Sequence, residues 1–315
     1  MLRPRLFAFL AVAAALGLAP LQAHAWQRPG HAASAAFAYD ELARAHPEVV
    51  RKIVEIMAAH PDRARFDAAL GDATGAERDR RLFMAMARWP DDVRETAYDH
   101  PSWHYWMSPY ASPADPPPGH PHGTFGEARE AFALNLAVAG DASAAAGERA
   151  MALCWVFHVL QDVHQPLHTA QLFSKDYPDG DKGGSRSFVK TDAGATATTF
   201  HRFWDERVLT AAASVDEMEA KSRELERDYP RPALPELGRR YPKDRLMESW
   251  AREESLPLAR TLAYDEGRVR TGKSPETATI PPADYAARSR EAAQRRLAVA
   301  SYRLADVLSD VFAAP

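Results

Sequence analysis

The stretch FHVLQDVHQPLH, residues 157–168, limits the fold more than any other part of the chain. It closes a run from about 145 to 163 that is apolar nearly all round, the pattern of a helix buried on every side. Yet it carries His158, Asp162, His164 and His168. Unpaired polar and charged groups are costly inside a protein, so the fold must bring partners to them. His158 and Asp162 are four apart and share one helix face. Pro166 has no N–H, and its ring crowds the carbonyl of Asp162. The helix is therefore expected to bend or stop near Gln165, which returns His168 toward the same region. Imidazole, carboxylate and imidazole make half of a zinc site; taken alone, a set of satisfied core histidines accounts for the stretch equally well.

The rest of the chain reads as helix. HAASAAFAYDELARAH, PEVVRKIVEIMAAH, ERDRRLFMAMARW and FGEAREAFALNLAVAG space their apolar residues at helical intervals, and further helices are expected around 200–226, 243–264 and 282–312. Alternating strand patterns are scarce, and SRSFVKT, residues 185–191, is the best short strand. Residues 108–123 form a Pro-rich loop and 174–185 a Gly/Asp loop. With no repeat or composition shift to mark a boundary, the expectation is one mainly helical, all-α domain over 26–315, with a short irregular or β segment near 183–191.

Residues 1–25 stand apart. Arg3 and Arg5, an apolar run and the Ala23-His24-Ala25 ending have the form of a secretory leader, cleaved to leave Trp26 first. The location expected is the periplasm or outside the cell, with no membrane association. Removing the leader takes two of the 39 basic residues and none of the 43 acidic ones, for a net charge of −6. A mildly acidic protein is a poor passive binder of polyanions; if it handles nucleic acid, bound cations must supply the positive field. The single cysteine, Cys154, permits no internal disulfide and reads as a small buried hydrophobe.

The metal reading gains weight from repetition. FHRFWDERV places His201 and Asp205 four apart on a second helix. RWPDDVRE and PSWHYW add Asp91, Asp92 and His104. A processed start at Trp26 offers an amine and a carbonyl that can chelate one ion, with His31 close behind. So many donors exceed one ion and imply two or three. Clustered zinc without enclosing cysteines does hydrolysis.

These residues, in this order, resemble the zinc-dependent single-strand nucleases of moulds and plants, a family with bacterial members, and more distantly the bacterial zinc-dependent phospholipases C. The resemblance runs from WQRPGH at residues 26–31 through RWPDDVR, SWHY, FHVLQDVHQPLH, GDKGGS and FHRFWD to YRLADVL. It implies three Zn2+ ions: one on Asp91, His104, His158 and Asp162; a second on His168, His201 and Asp205; a third on the amine and carbonyl of Trp26 with His31 and a bridging Asp162. It also implies catalytic roles for Asp91, Asp162 and Arg94. Arg94, Tyr105 and Ser185 would meet the substrate, Tyr105 by stacking on a base. The activity implied is hydrolysis of single-stranded DNA and RNA to 5′-phosphorylated products, with action on 3′-nucleotides, by a monomer. Three departures bear on substrate preference: Met107 stands where the family often has aspartate, Ser185 where it has asparagine, and the stretch from His168 to His201 is long. A phospholipase C is the alternative enzyme, although those relatives carry glutamate where this chain has Asp205. A zinc-sequestering periplasmic protein is the non-enzymatic alternative, against which stands the lack of a long His/Asp-rich tract. His164 could orient Asp162 or be a satisfied core histidine. Asp92 reads as a supporting or surface acid, and Trp103, Trp106 and Trp204 as packing around the metals.

Overall fold

The computed structural model describes residues 26–119 and 123–313. The leader read at residues 1–25 lies outside the described residues, as do His120 and His122. Among the described residues, no helix is long and apolar enough to cross a membrane.

The architecture is mainly helical. Pro29 sits in the first turn of α1 (Arg28–Ala45), where its missing N–H is no loss, and Pro47 opens α2 (Pro47–Met57). The short α3 (Arg63–Leu70) escaped the sequence reading because it buries only Phe66 and Leu70, too few for a period. Then come α4 (Gly75–Asp92), α5 (Ala128–Gly140) and α6 (Ala146–Asp162). Every residue of α6 from Ala152 to Asp162 is buried, as its all-round apolar pattern requires. It packs on α4 and α5, while α1 packs on α4 and on the long C-terminal α11 (Tyr285–Phe312). Cys154 lies in the core of α6, where burial pushes its thiol well above its ordinary range.

The one helix expected around 200–226 is two. α7 (Phe200–Asp205) ends after six residues, and α8 (Val215–Asp228) starts anew at a capping box, in which Ser214 and Glu217 satisfy each other's backbone N–H. The helical stretch expected at 243–264 alternates α9 (Leu246–Ser249) and α10 (Leu256–Leu258) with two π-helical turns. Pro257, with no N–H to give and a ring against the preceding turn, lies within it.

Strand content is small. β1 (Ser108–Ala111) runs parallel to β2 (Ala170–Phe173), Ser108 opposite Ala170. The stretch read wholly as a Pro-rich loop thus begins as a strand; its partner lies some sixty residues away, beyond what local pattern shows. Within SRSFVKT, β3 (Phe188–Val189) pairs antiparallel with β4 (Thr198–Thr199).

Two large apolar clusters form the core. One includes Ile53, Phe83, Trp89, Val93, Phe157 and Leu304. The other includes Trp26, Leu167, Phe200, Trp204, Tyr264 and Tyr285. The polar residues of interest alternate with members of both: Asp91 lies between Trp89 and Val93, His158 follows Phe157, His168 follows Leu167 and His201 follows Phe200. Behind the end of α6, buried Glu254 pairs with Arg296 and Arg303, each at 2.7 Å. Ser255 donates to the Val163 carbonyl at 2.6 Å and Arg296 to that of His164 at 3.3 Å. This ionic cluster fixes the chain just past Asp162.

Candidate metal centre

Four helices and two short turns deliver the donors. Asp91 sits in the last turn of α4, beside Pro90. A Pro-initiated 3-10 turn, Pro101–His104, presents His104. α6 contributes His158 and Asp162 on one face, and a second Pro-initiated turn, Pro166–His168, brings His168 back, as the break at Pro166 predicts. His104 and His168 are held abreast just ahead of the parallel β1–β2 pair: Trp106 N–H donates to the His168 carbonyl at 3.0 Å, and His168 Nδ1 donates to the His104 carbonyl at 2.6 Å. α7, capped by Thr199, supplies His201 and Asp205. His31 comes from α1.

The structure gathers these side chains into three buried groups whose donor atoms could each hold a metal ion: His31, His158 and Asp162; Asp91, His104 and His158; His168, His201 and Asp205. His158 belongs to both of the first two, and the Asp162 carboxylate reaches across them. Its Oδ1 lies 3.3 Å from His31 Nε2, and its Oδ2 lies 3.1 Å from His104 Nδ1 and 3.2 Å from His158 Nε2. His158 Nε2 is 3.9 Å from Asp91 Oδ1.

The hydrogen bonds show which ring nitrogens are available. A carbonyl oxygen only accepts, so a ring nitrogen facing one must carry the proton. His158 Nδ1 donates to Ala87 O (2.8 Å), His201 Nδ1 to Gly183 O (2.7 Å) and His31 Nδ1 to Gln161 Oε1 (2.6 Å). His168 is fixed likewise by His104. In its neutral form each ring therefore turns its Nε2 lone pair inward, the arrangement that orients metal-binding histidines. His168 Nε2 and His201 Nε2 then face each other at 3.0 Å. Two lone pairs at that distance need a positive centre between them. A proton is a poor candidate, because burial pulls the His168 pKa down to about 3. Burial, with Arg94 nearby, does the same to His104, also to about 3. Among buried side-chain atoms, Asp205 Oδ2 has no hydrogen-bond partner, and His31 Nε2 and Asp162 Oδ1 face each other at 3.3 Å. The residues present fit metal ions.

The carboxylates agree. Asp91, Asp162 and Asp205 are fully buried. Burial pushes the Asp162 carboxyl up, but His158 and hydrogen bonds from the surrounding imidazoles outweigh it and hold the group well below the carboxylate range. His158 answers in kind: burial lowers it, the two carboxylates more than offset that, and its pKa rises. Burial drives Asp205 well above its ordinary range against the amide hydrogen bond from Gln165, so this acid would keep its proton without a cation beside it.

The chain has a match among known families: that of the S1/P1 Nuclease family covers residues 26–313. The chain belongs to the S1/P1 nuclease family. It is therefore a nuclease, a hydrolase by class, and nucleic acid is its substrate. No curated protein matches this S1/P1 nuclease.

The remaining candidates fall at or away from the centre. Arg94 Nη2 lies 3.1 Å from Asp91 Oδ1. Tyr105 is half-buried, its ring stacked on His168 with centroids 4.7 Å apart, and Ser185 is half-buried at the end of the GDKGGS loop. Trp26 is fully buried and its indole donates to the Gln161 carbonyl at 3.0 Å. Asp92 meets Arg28 and Arg88 at the rim. His164 belongs to none of the three groups; it donates to Leu160 O and faces Arg303 Nη1 at 2.8 Å. Trp103 stacks on His100, and Trp204 donates to Tyr285.

Three supporting residues were not legible. Gln161 holds His31, and Gln165 donates to Asp205 Oδ1 at 2.7 Å. Both lie inside the opening motif, four apart around Asp162, yet glutamine in a helix carries no signal of its own. Asp181 organises the GDKGGS loop by accepting from Leu172 N–H and the Tyr264 hydroxyl, both at 2.9 Å, and from the Gly183 and Gly184 N–H groups. Burial still pushes its carboxyl up to about 7.

Proposed function

We propose that this S1/P1 nuclease is an exported, zinc-dependent phosphodiesterase that hydrolyses single-stranded DNA and RNA to 5′-phosphorylated products and also acts on 3′-nucleotides. The observation that carries this reading is the trio of buried donor groups whose imidazoles are locked with a lone pair facing inward. Imidazole nitrogen and carboxylate oxygen without thiolate suit zinc. In this reading Asp91, His104, His158 and Asp162 hold one ion. His168, His201 and Asp205 hold another. His31 and Asp162, with the amine and carbonyl of Trp26 after removal of the leader, hold the third.

Bound zinc supplies neutralisation of phosphate oxygens and lowers the pKa of water from ~16 to ~7. The chain's own groups do the positioning. The carbonyls of Ala87, His104 and Gly183 hold the Nδ1–H of three imidazoles and so keep Nε2 aimed inward. Arg94, paired with Asp91 and 10% exposed, is assigned to the phosphate. Tyr105 offers an aromatic surface to a base, and Ser185 a hydroxyl at the loop end. Single-strand preference follows from depth: the donors are buried, and a flexible strand can bend a phosphate inward where a stiff duplex cannot. Stacking on an aromatic ring adds ~1–3 kcal/mol per base.

Digestion of single-stranded DNA, duplex DNA, RNA and phosphatidylcholine in parallel tests the reading. Faster cutting of the single strands, with phosphate on the 5′ ends of the products, is expected. Hydrolysis of the lipid alone, or duplex cut as fast as single strands, would overturn it.

A further inference from the structure

Phe125 is an exposed aromatic residue, 43% accessible, yet its backbone is fixed. It exchanges both hydrogen bonds with buried Met107, at 2.8 and 2.9 Å. The next residue, Gly126, has a φ of 96°, and a Cβ there would stand 2.1 Å from the Tyr105 carbonyl, so only glycine permits this approach. Glu127 and Ala128 N–H groups then bond back to Ser102 and Tyr105 at 2.8 and 2.9 Å. A single exposed apolar ring needs no explanation by itself; the setting of this one singles it out.

Its neighbours point to a ligand. The Phe125 ring centroid lies 6.3 Å from that of Tyr105, whose ring stacks on His168. The three rings form a path from the donor groups to the surface. Lys182 Nζ sits 5.9 Å from the Phe125 centroid, next in the chain to Gly183, whose carbonyl anchors His201. Beside Phe125 opens a cleft of about 480 Å3 walled by Pro117, Pro118, Phe173 and Pro178, with Thr124, Gln171 and Asp179 its polar side chains. Apolar faces with few hydrogen-bonding groups suit a flat, neutral aromatic ring whose identity is not read by its edges, and Lys182, outside the cleft, suits the phosphate such a ring is attached to.

We propose that Phe125, with Lys182 and the adjoining cleft, is a stacking platform for a nucleobase neighbouring the phosphate that enters the donor groups. The inference rests on the nuclease reading above and adds to it a place on the substrate strand. Because recognition is through the π face, the platform accepts any base and acts on single strands, whose bases are free to unstack.

The test compares oligothymidylate with bis(4-nitrophenyl) phosphate, a diester with no base, in the zinc-loaded protein. Phe125→Ala should lower kcat/KM for the oligonucleotide relative to the small diester by about 5- to 150-fold, mainly through KM, and Phe125→Trp should restore the ratio. In Phe125→Trp, oligothymidylate should quench the added indole fluorescence and an abasic strand of equal length should not. An unchanged ratio, equal losses on both substrates, or equal quenching by the abasic strand would overturn the platform. Failure of the nuclease reading has a different signature: the unsubstituted protein would cleave neither substrate.

Discussion

At the scale of single residues, the candidate centre is held in shape by groups that are not among its donors. Gln165 holds Asp205 by one amide hydrogen bond and accepts from Leu167 N–H with its oxygen at 2.6 Å, so one side chain ties two donor-bearing segments together. Replacing Gln165 with Leu should weaken zinc binding about 10- to 100-fold. Competition with a chromogenic chelator reads this directly, and unchanged affinity would remove Gln165 from the account. The donors themselves were legible because histidine and aspartate in apolar surroundings demand an explanation; Gln161 and Gln165 were not, because neutral amides are tolerated in many contexts. Away from the metals, His60 is packed against Phe66 and Trp89, and burial lowers its pKa to about 4. Its Nδ1 accepts from Asp62 N–H at 3.0 Å, a bond that requires the neutral ring. The unfolded chain, with an ordinary His pKa near 6.5, binds the proton first as pH falls. Stability is therefore lost between pH 6.5 and about 4, by up to about 3 kcal/mol from this residue. His60→Asn keeps an acceptor but cannot titrate, so denaturant melts should show its stability relative to the parent improving from pH 7 to pH 4.5.

At the scale of elements, what could be read was what is locally periodic or locally broken. α6 announced itself by apolar residues on every face, and Pro166 announced its end. The break between α7 and α8 was hidden because both halves carry helix-forming residues, and only the Ser214–Glu217 capping box marks the restart. The parallel β1–β2 pair was hidden for a different reason: its two strands are short and distant in sequence, and Pro109 spoils any alternation. Yet that pair sets His104 and His168 side by side. The GDKGGS loop is the comparable device for His201. Lys182, Gly183 and Gly184 run through φ values of 52°, 61° and 84°, and a Cβ at Gly183 would approach the Leu167 carbonyl to 2.3 Å. Gly183→Ala should cost about 1–3 kcal/mol in thermal or denaturant melts and loosen the zinc affinity of the His168–His201–Asp205 group. A variant that melts and binds zinc like the parent would show that the loop does not position His201.

At the scale of the whole molecule, the donors come from α1, α4, α6, α7 and the turns between them, so the centre exists only when two apolar clusters close around it. The Glu254–Arg296–Arg303 cluster braces the same seam from behind α6. The helical class and the convergence of scattered histidines and aspartates followed from pattern alone; the bracing did not, since an arginine on α11 gives no sign that it will be buried. Trp26 lies buried against α6 at the start of the matched region, which makes the processed amino end part of the centre in this account. The most direct measurement is the zinc content of protein beginning at Trp26, taken alongside single-strand cleavage, after chelation and again as zinc is returned. Cleavage should be abolished by chelation and regained as the count climbs to three ions per chain, with only two ions bound when extra residues precede Trp26. Full cleavage by chelated protein, or a zinc-saturated protein that leaves single strands intact, would contradict this.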